Sequence, residues 1–166
     1  MKKNLSISAF AAIVMMVVMQ WQGHPLKTPT TKLGIVHLEF ADTATRLHEL
    51  LAHWDNSVVK VNIWLDFFFI VSYVSFFAIA CVYAAMKWAD GSTLRAAGMV
   101  LARLAFAAGV FDIAENLLML QSIGGNYTDA SLILTWYCAA IKFLVIAVII
   151  LYLLLSLPKL LGKKAD

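Results

Sequence analysis

Three polar residues share one face of an apolar segment, and their types and spacing could support acid–base or cation-binding chemistry. Asp112, Glu115 and Asn116 occur within residues 98–121, a run that is long and apolar enough to cross a bilayer. At about 100° per residue, a helix places Glu115 and Asn116 on either side of Asp112. Carboxyl groups inside a membrane are costly, so they face the bundle interior, where they pair, bind or relay protons.

Ionisable residues in two other apolar runs are predicted to lie at an overlapping depth. Exposing a charged group to lipid costs about 2.5–3.5 kcal/mol at the bilayer centre, so mutual contact inside a helix bundle is cheaper. We therefore predict a buried polar site in the outer half of the membrane, covered by a loop. The predicted ligand-binding residues are Asp66, Tyr73, Asp112, Glu115, Asn116 and Lys142 from the spans and Glu39 from the loop.

The predicted site contains more acid than base, since three intramembrane carboxyl groups face one lysine. A protonated carboxyl, a bound cation or a basic loop residue such as Lys60 could balance that excess. Three functions stay open. The site could bind or pass a small ligand, proton or cation, or the polar residues could only fix helix packing in an accessory subunit of a larger complex. A membrane enzyme acting on a lipid, with a carboxylate as acid or base, is the third. No catalytic residue is assigned.

The elements that must position these residues are apolar helices. The chain has 166 residues, of which 62% are hydrophobic and 14% charged, with a mean hydropathy of +0.82. A soluble domain is about a quarter charged, so this is a membrane composition. Apolar runs predict spans at about 4–21, 61–88, 97–121 and 130–157, with a loop at 22–60. The fold class is therefore all-α: residues 1–166 form a single integral membrane four-helix bundle.

The first apolar run follows two lysines, as the apolar core of a signal peptide does. No small-x-small cleavage site follows this run, and Trp21 suits the far membrane interface instead. We therefore predict a retained first span. In the third run, the face of Asp112 continues through Ala108, Gly109, Ala105 and Gly98, and this small surface predicts close helix packing.

Residues 33–40 of the polar loop show a short alternation of apolar and polar residues. Val36, Leu38 and Phe40 would point to one side, and His37 and Glu39 to the other. A period of two residues is typical of an extended segment. Glu39 is therefore predicted to point away from the apolar residues around it.

A short amphipathic helix is predicted in the second part of the loop. Asp42 or Thr43 can cap it, and it should run to about Trp54. An apolar stripe of Leu47, Leu50, Leu51 and Trp54 lies apart from Arg46, Glu49 and His53. Such a helix should lie on the membrane surface or cap the bundle.

Basic residues flank the predicted spans unevenly. Lys2 and Lys3 precede the first span, Lys87 and Arg95 flank the turn between the second and third, and the tail carries Lys159, Lys163 and Lys164. Residues 122–129 contain no lysine or arginine. The positive-inside rule then predicts that both termini are cytoplasmic and that loop 22–60 is extracytoplasmic.

Several other functions find no support in the sequence. His48 to His53 reads HELLAH, in which the second histidine comes one residue too late for the HExxH zinc motif, so no metal site is predicted. All four histidines lie outside the predicted spans, which excludes a haem held by two intramembrane histidines. Nothing indicates a cofactor or nucleic-acid binding. The expected partner is the lipid bilayer, with a small ligand or cation, a homo-oligomer or a larger membrane complex left open.

Three short motifs together resemble a family of small, uncharacterised bacterial membrane proteins with four spans. They are LEFA at 38–41 before a short helix ending in Trp54, LDFFF at 65–69, and D-x-x-E-N formed by Asp112, Glu115 and Asn116. The resemblance implies a location in the bacterial inner membrane. It implies no activity, so the function must be argued from the residues.

Overall fold

The computed structural model describes residues 1–161, with side chains described as far as Leu160, and this part of the chain is helical without β-strands. A short 3₁₀ turn at His24–Leu26 follows the first helix. The six α-helices of these residues are α1 (Lys2–Gln22), α2 (Val36–Glu39), α3 (Ala44–His53), α4 (Asn56–Ala85), α5 (Thr93–Ile123) and α6 (Asp129–Leu161). The all-α fold class is thereby confirmed.

Four of these helices, α1, α4, α5 and α6, are long and apolar enough to cross a membrane. All four begin before the predicted spans, and two of them begin four to five residues earlier because polar residues cap them. Asp55 accepts a hydrogen bond from the backbone N–H of Ser57 ahead of α4, and Ser92 accepts one from the backbone N–H of Arg95 ahead of α5. The apolar runs therefore predicted the central parts of the helices, while capping residues determine where the helices start.

The last long helix extends beyond residue 157, where the predicted span ends. α6 continues through Pro158 to Leu161. Proline removes one backbone N–H and the hydrogen bond it would make, but a single lost bond near a helix end need not stop the final turn. Lys163 and Lys164 of the predicted basic tail lie outside the described residues.

The extended segment suggested by the alternation at residues 33–40 is wrong. Residues 36–39 form the single turn α2, in which the backbone N–H groups of Glu39 and Phe40 donate to the carbonyls of Ile35 and Val36, both at 3.3 Å. Neighbouring helical residues are about 100° apart, so both Leu38 and Glu39 can turn inward. Both are buried. A five-residue alternation was too short to distinguish a strand from a helical turn.

The amphipathic helix α3 is confirmed, and it caps one end of the bundle. The hydroxyl of Thr43 accepts a hydrogen bond from the backbone N–H of Arg46 at 3.4 Å. Leu47, at 1% exposure, and Trp54 are buried, while Glu49 faces solvent. This apolar face joins a cluster formed by Leu26, Leu38, Leu47, Trp54, Val59, Ile63, Met119 and Leu132.

The three central helices pack through the small face predicted on α5. A Cβ atom added to Gly98 would overlap the hydroxyl oxygen of Tyr152 in α6, and one added to Gly109 would lie 2.7 Å from Cγ2 of Val74 in α4. A second apolar cluster, which includes Ala102, Ala105 and Tyr152, fills the end of the bundle opposite α3. The predicted polar residues occur along the helices between these two clusters.

Candidate functional site

Lys142 lies at the centre of a buried group of acidic side chains. Its ammonium Nζ donates to Asp112 Oδ1 at 2.9 Å, to Glu115 Oε1 at 3.0 Å and to Glu39 Oε2 at 3.3 Å. The side chains of Lys142 and Asp112 are 6% and 5% exposed, and that of Glu115 is fully buried. An ammonium group has three donors, so each is used on a carboxyl group. We call Lys142, Asp112, Glu115 and Glu39 the lysine–acid cluster.

Three helices supply the lysine–acid cluster. Asp112 and Glu115 are three residues apart in α5 and so share one face, which is turned toward Lys142 in α6. Glu39 comes from α2, outside the long helices. Its neighbour Phe40 stacks on the ring of Phe143 with centroids 6.0 Å apart, and this contact holds α2 against α6.

Tyr73 and the pair formed by Asp66 and Asn116 extend the polar network. The hydroxyl of Tyr73 donates to Asp112 Oδ2 at 2.7 Å, so both carboxyl oxygens of Asp112 have a partner. The amide of Asn116 donates to Asp66 Oδ2 at 2.7 Å. Within the described residues, Asp66 makes no hydrogen bond to Lys142 and is only half-buried. It forms a second pair beside the lysine–acid cluster.

The lysine–acid cluster carries three carboxyl groups for one ammonium group. Glu115 Oε2 lies 2.9 Å from Nζ of Lys142 but makes no hydrogen bond within the described residues. The carboxyl groups of Glu39 and Glu115 both accept from the same ammonium group, at 3.3 and 3.0 Å, and are therefore neighbours. Two carboxylates that meet in a buried site favour holding a proton between them. The arrangement is therefore suited to retain at least one proton.

Glu39 is the cluster member that the loop supplies, and its surroundings disfavour its charged form. Burial raises the pKa of the Glu39 carboxyl above its ordinary value, the nearby ammonium of Lys142 opposes this, and the neighbouring carboxyl of Asp112 adds to it. Burial has the largest effect of the three. Glu39 thus takes up a proton more readily than a solvent-exposed glutamate does.

Other polar residues of α3 and α4 lie away from the lysine–acid cluster. Lys60 is exposed, so it does not supply the balancing charge. Asn62, on the same face as Asp66, donates to Gln22 Oε1 at 2.5 Å and joins α4 to α1. In the HELLAH segment, a ring nitrogen of His48 lies 2.7 Å from the hydroxyl of Tyr127.

Sequence reasoning missed the aromatic side chains beside the lysine–acid cluster. Phe40 stacks on Phe143 and meets Trp136 edge-on with ring centroids 5.8 Å apart. The ring of Phe143 also lies 4.8 Å from Nζ of Lys142. The sequence could have indicated these rings, because Phe40 directly follows Glu39 and Phe143 directly follows Lys142.

No protein-family model, curated protein or solved structure matches this chain. The chemistry of the site is therefore inferred from its own geometry. That geometry provides a fixed internal cation, an excess of buried acid and one acidic residue carried by a short segment outside the long helices.

Proposed function

We propose that this protein is a multi-pass protein of the bacterial inner membrane whose lysine–acid cluster binds and releases a proton on the extracytoplasmic side. Four long apolar helices support a membrane location. The short motifs of the spans and the loop, which resemble four-span bacterial inner-membrane proteins, support the choice of membrane. The proton-binding role is supported by the charges of the cluster.

The distribution of basic residues supports the proposed orientation. Lys2, Lys87, Arg95 and Lys159 occur at or beside the helix ends that are remote from α3. Residues 124–128, which join α5 and α6 near α3, contain no basic residue. The positive-inside rule then assigns both termini to the cytoplasm and α2 and α3 to the outer side. Glu39 would reach the lysine–acid cluster from that side.

The excess of buried acid is the single observation that carries the proposal. With every group ionised, three carboxylates around one ammonium would leave a net negative charge in a site from which water is largely excluded. One proton shared between Glu39 and Glu115, whose carboxyl groups both accept from Lys142, reduces that charge. A proton also needs no cavity in order to bind.

A proton fits the lysine–acid cluster better than a metal cation or a larger ligand does. The ammonium of Lys142 already occupies the position that a bound cation would take among the carboxyl groups. Two open crevices of about 530 and 370 Å³ lie between other helix faces, and no cluster residue lines either of them. The site accordingly favours exchange of protons over capture of a bulky molecule.

Glu39→Gln should remove the release of about one proton per chain in the pH range above the ordinary pKa of glutamate, 4.5. The raised pKa of Glu39 also means that the unfolding free energy of the wild type should fall as pH rises through this range, because ionised Glu39 is disfavoured in the folded state. The variant should lack that decline. Proton release is measured with an indicator dye on the purified full chain in weakly buffered detergent, and stability by thermal melting at each pH.

Glu49→Gln is the matched control, since it makes the same change at an exposed glutamate of α3. It should release protons and lose stability with pH as the wild type does. A packing role is the second candidate, and it is favoured by the use of all three ammonium donors on neighbouring helices. If Glu39→Gln and Glu49→Gln gave identical titrations, the proton-binding proposal would fail and the packing role would be supported.

A further inference from the structure

An open apolar groove runs along α1 on the side of the bundle away from the lysine–acid cluster. It consists of two crevices, of about 530 and 370 Å³, that share Asn4 and Ile79 in their linings. The larger lies between α1 and α4, and the smaller extends to α5. Since the two crevices meet at the same residues, we treat them as one continuous groove.

Arg103 is the charged residue of this groove. It is exposed in α5 and lines the smaller crevice together with Asn4, while Val82, Met99 and Phe106 form apolar walls around it. Arg103 makes no salt bridge and no side-chain hydrogen bond with any residue in the described part of the chain. A guanidinium group presents a planar fork of donors that matches the oxygens of a phosphate.

Basic charge also accumulates at the same end of the groove. Lys2 and Lys3 are exposed and directly precede Asn4, whose side chain lines both crevices with Ile79. No acidic residue appears in the lining of either crevice. The end of the groove near Arg103 is therefore positively charged and complements an anion.

The remainder of the groove presents an apolar surface. Two of its serines are bonded to their own helices, because Ser8 donates to the Leu5 carbonyl at 3.1 Å and Ser72 donates to the Phe68 carbonyl at 2.8 Å. Residues 68–82 of α4 line the groove over roughly 20 Å at 1.5 Å per residue. That length exceeds one leaflet of hydrocarbon, about 15 Å, so an acyl chain fits along it.

We propose that this groove binds one anionic phospholipid, with its phosphate at Arg103 and Asn4 and an acyl chain along α1 and α4. The proposal rests on the proposed membrane location but not on the proton-binding role. A lipid with no net charge would bring a cationic headgroup toward Lys2 and Lys3, whereas a lipid with a net negative charge would not. The groove is therefore expected to bind a lipid of net negative charge more tightly than a lipid with no net charge.

The test is native mass spectrometry of the detergent-purified full chain incubated with equal amounts of phosphatidylglycerol and phosphatidylethanolamine. The wild type should retain phosphatidylglycerol in preference to phosphatidylethanolamine. Arg103→Gln should lower the retained phosphatidylglycerol about fivefold, the effect of one basic residue acting on an anionic lipid. Arg95→Gln is the matched control and should retain lipid as the wild type does, since Arg95 pairs with Asp90 outside the groove.

A second variant tests the apolar part of the groove. Ser75→Leu places a larger side chain in the lining of the larger crevice and should reduce lipid retention while Arg103 is intact. Equal retention of the two lipids by the wild type, or unchanged retention by both variants, would overturn the proposal, as would a lipid-free dimer that covers the groove. Flotation with vesicles tests the membrane location separately, because a chain that does not float contradicts that location whatever the lipid selectivity.

Discussion

Lys142→Met should lower the unfolding free energy by about 3–5 kcal/mol, the usual cost of removing one partner from a buried ion pair. Methionine keeps an unbranched apolar side chain, one atom shorter than lysine, but removes the cation that Asp112, Glu115 and Glu39 share. The three buried carboxyl groups would then repel one another, with no nearby cation to offset their negative charge. Denaturant unfolding of the detergent-purified chain, followed by circular dichroism, measures the change.

Lys60→Met is the control for Lys142→Met because it makes the same substitution at an exposed lysine of α4. It should change stability by no more than about 0.5 kcal/mol, as surface substitutions do. Adding Glu115→Gln to Lys142→Met should recover part of the loss, since it removes one of the uncompensated acids. Equal stabilities of Lys142→Met and Lys60→Met would contradict the central role of the ammonium group.

Leu47→Ala should cost about 2–5 kcal/mol in the stability of the segment that covers the lysine–acid cluster. Leu47 is 1% exposed and attaches α3 to the apolar cluster at this end of the bundle, and α2 packs against α3. Loss of this contact should weaken the packing of α2, and the contact between Glu39 and Lys142 should weaken with it. Hydrogen exchange followed by mass spectrometry should show faster exchange in residues 36–53, with the long helices still protected.

Thr45→Ala is the control for the covering segment, since Thr45 is exposed on the same helix. Its exchange pattern should match that of the wild type. If Leu47→Ala left exchange in residues 36–53 unchanged, α3 would not hold the covering segment in place. Faster exchange along α4, α5 and α6 as well would mean that Leu47 stabilises the whole bundle, and a local role for α3 would be lost.

The long apolar helices and their polar faces could be predicted from the sequence because both depend on local periodicity. Asp112 and Glu115 share a face because of helical spacing alone. A charged Lys142 facing lipid would cost free energy, so a position beside these acids was expected. The contact of these residues in the structure follows from burial cost, which depends little on the details of packing. The face of small residues around Gly98 and Gly109 could be predicted for the same reason.

The loop was harder to predict, because contacts distant in sequence determine its shape. The conformation of residues 36–39 depends on where Leu38 and Phe40 pack, and Phe40 stacks on Phe143, which is far away in the chain. Glu39 was identified as a candidate residue, but its contact with Lys142 arises from that packing. The start of α4 shows a similar limit, because the cap at Asp55 lies outside the apolar pattern that identified the span.

Infrared spectroscopy of carboxyl groups tests the central claim most directly, since a protonated carboxyl has a carbonyl band that ionised carboxylates lack. The purified full chain should show such a band at neutral pH, shifted in heavy water, decreasing at alkaline pH and weaker in Glu39→Gln than in Glu49→Gln. That result is expected if three buried carboxyl groups share one ammonium and retain a proton. A neutral-pH spectrum without any protonated carboxyl band would contradict the claim.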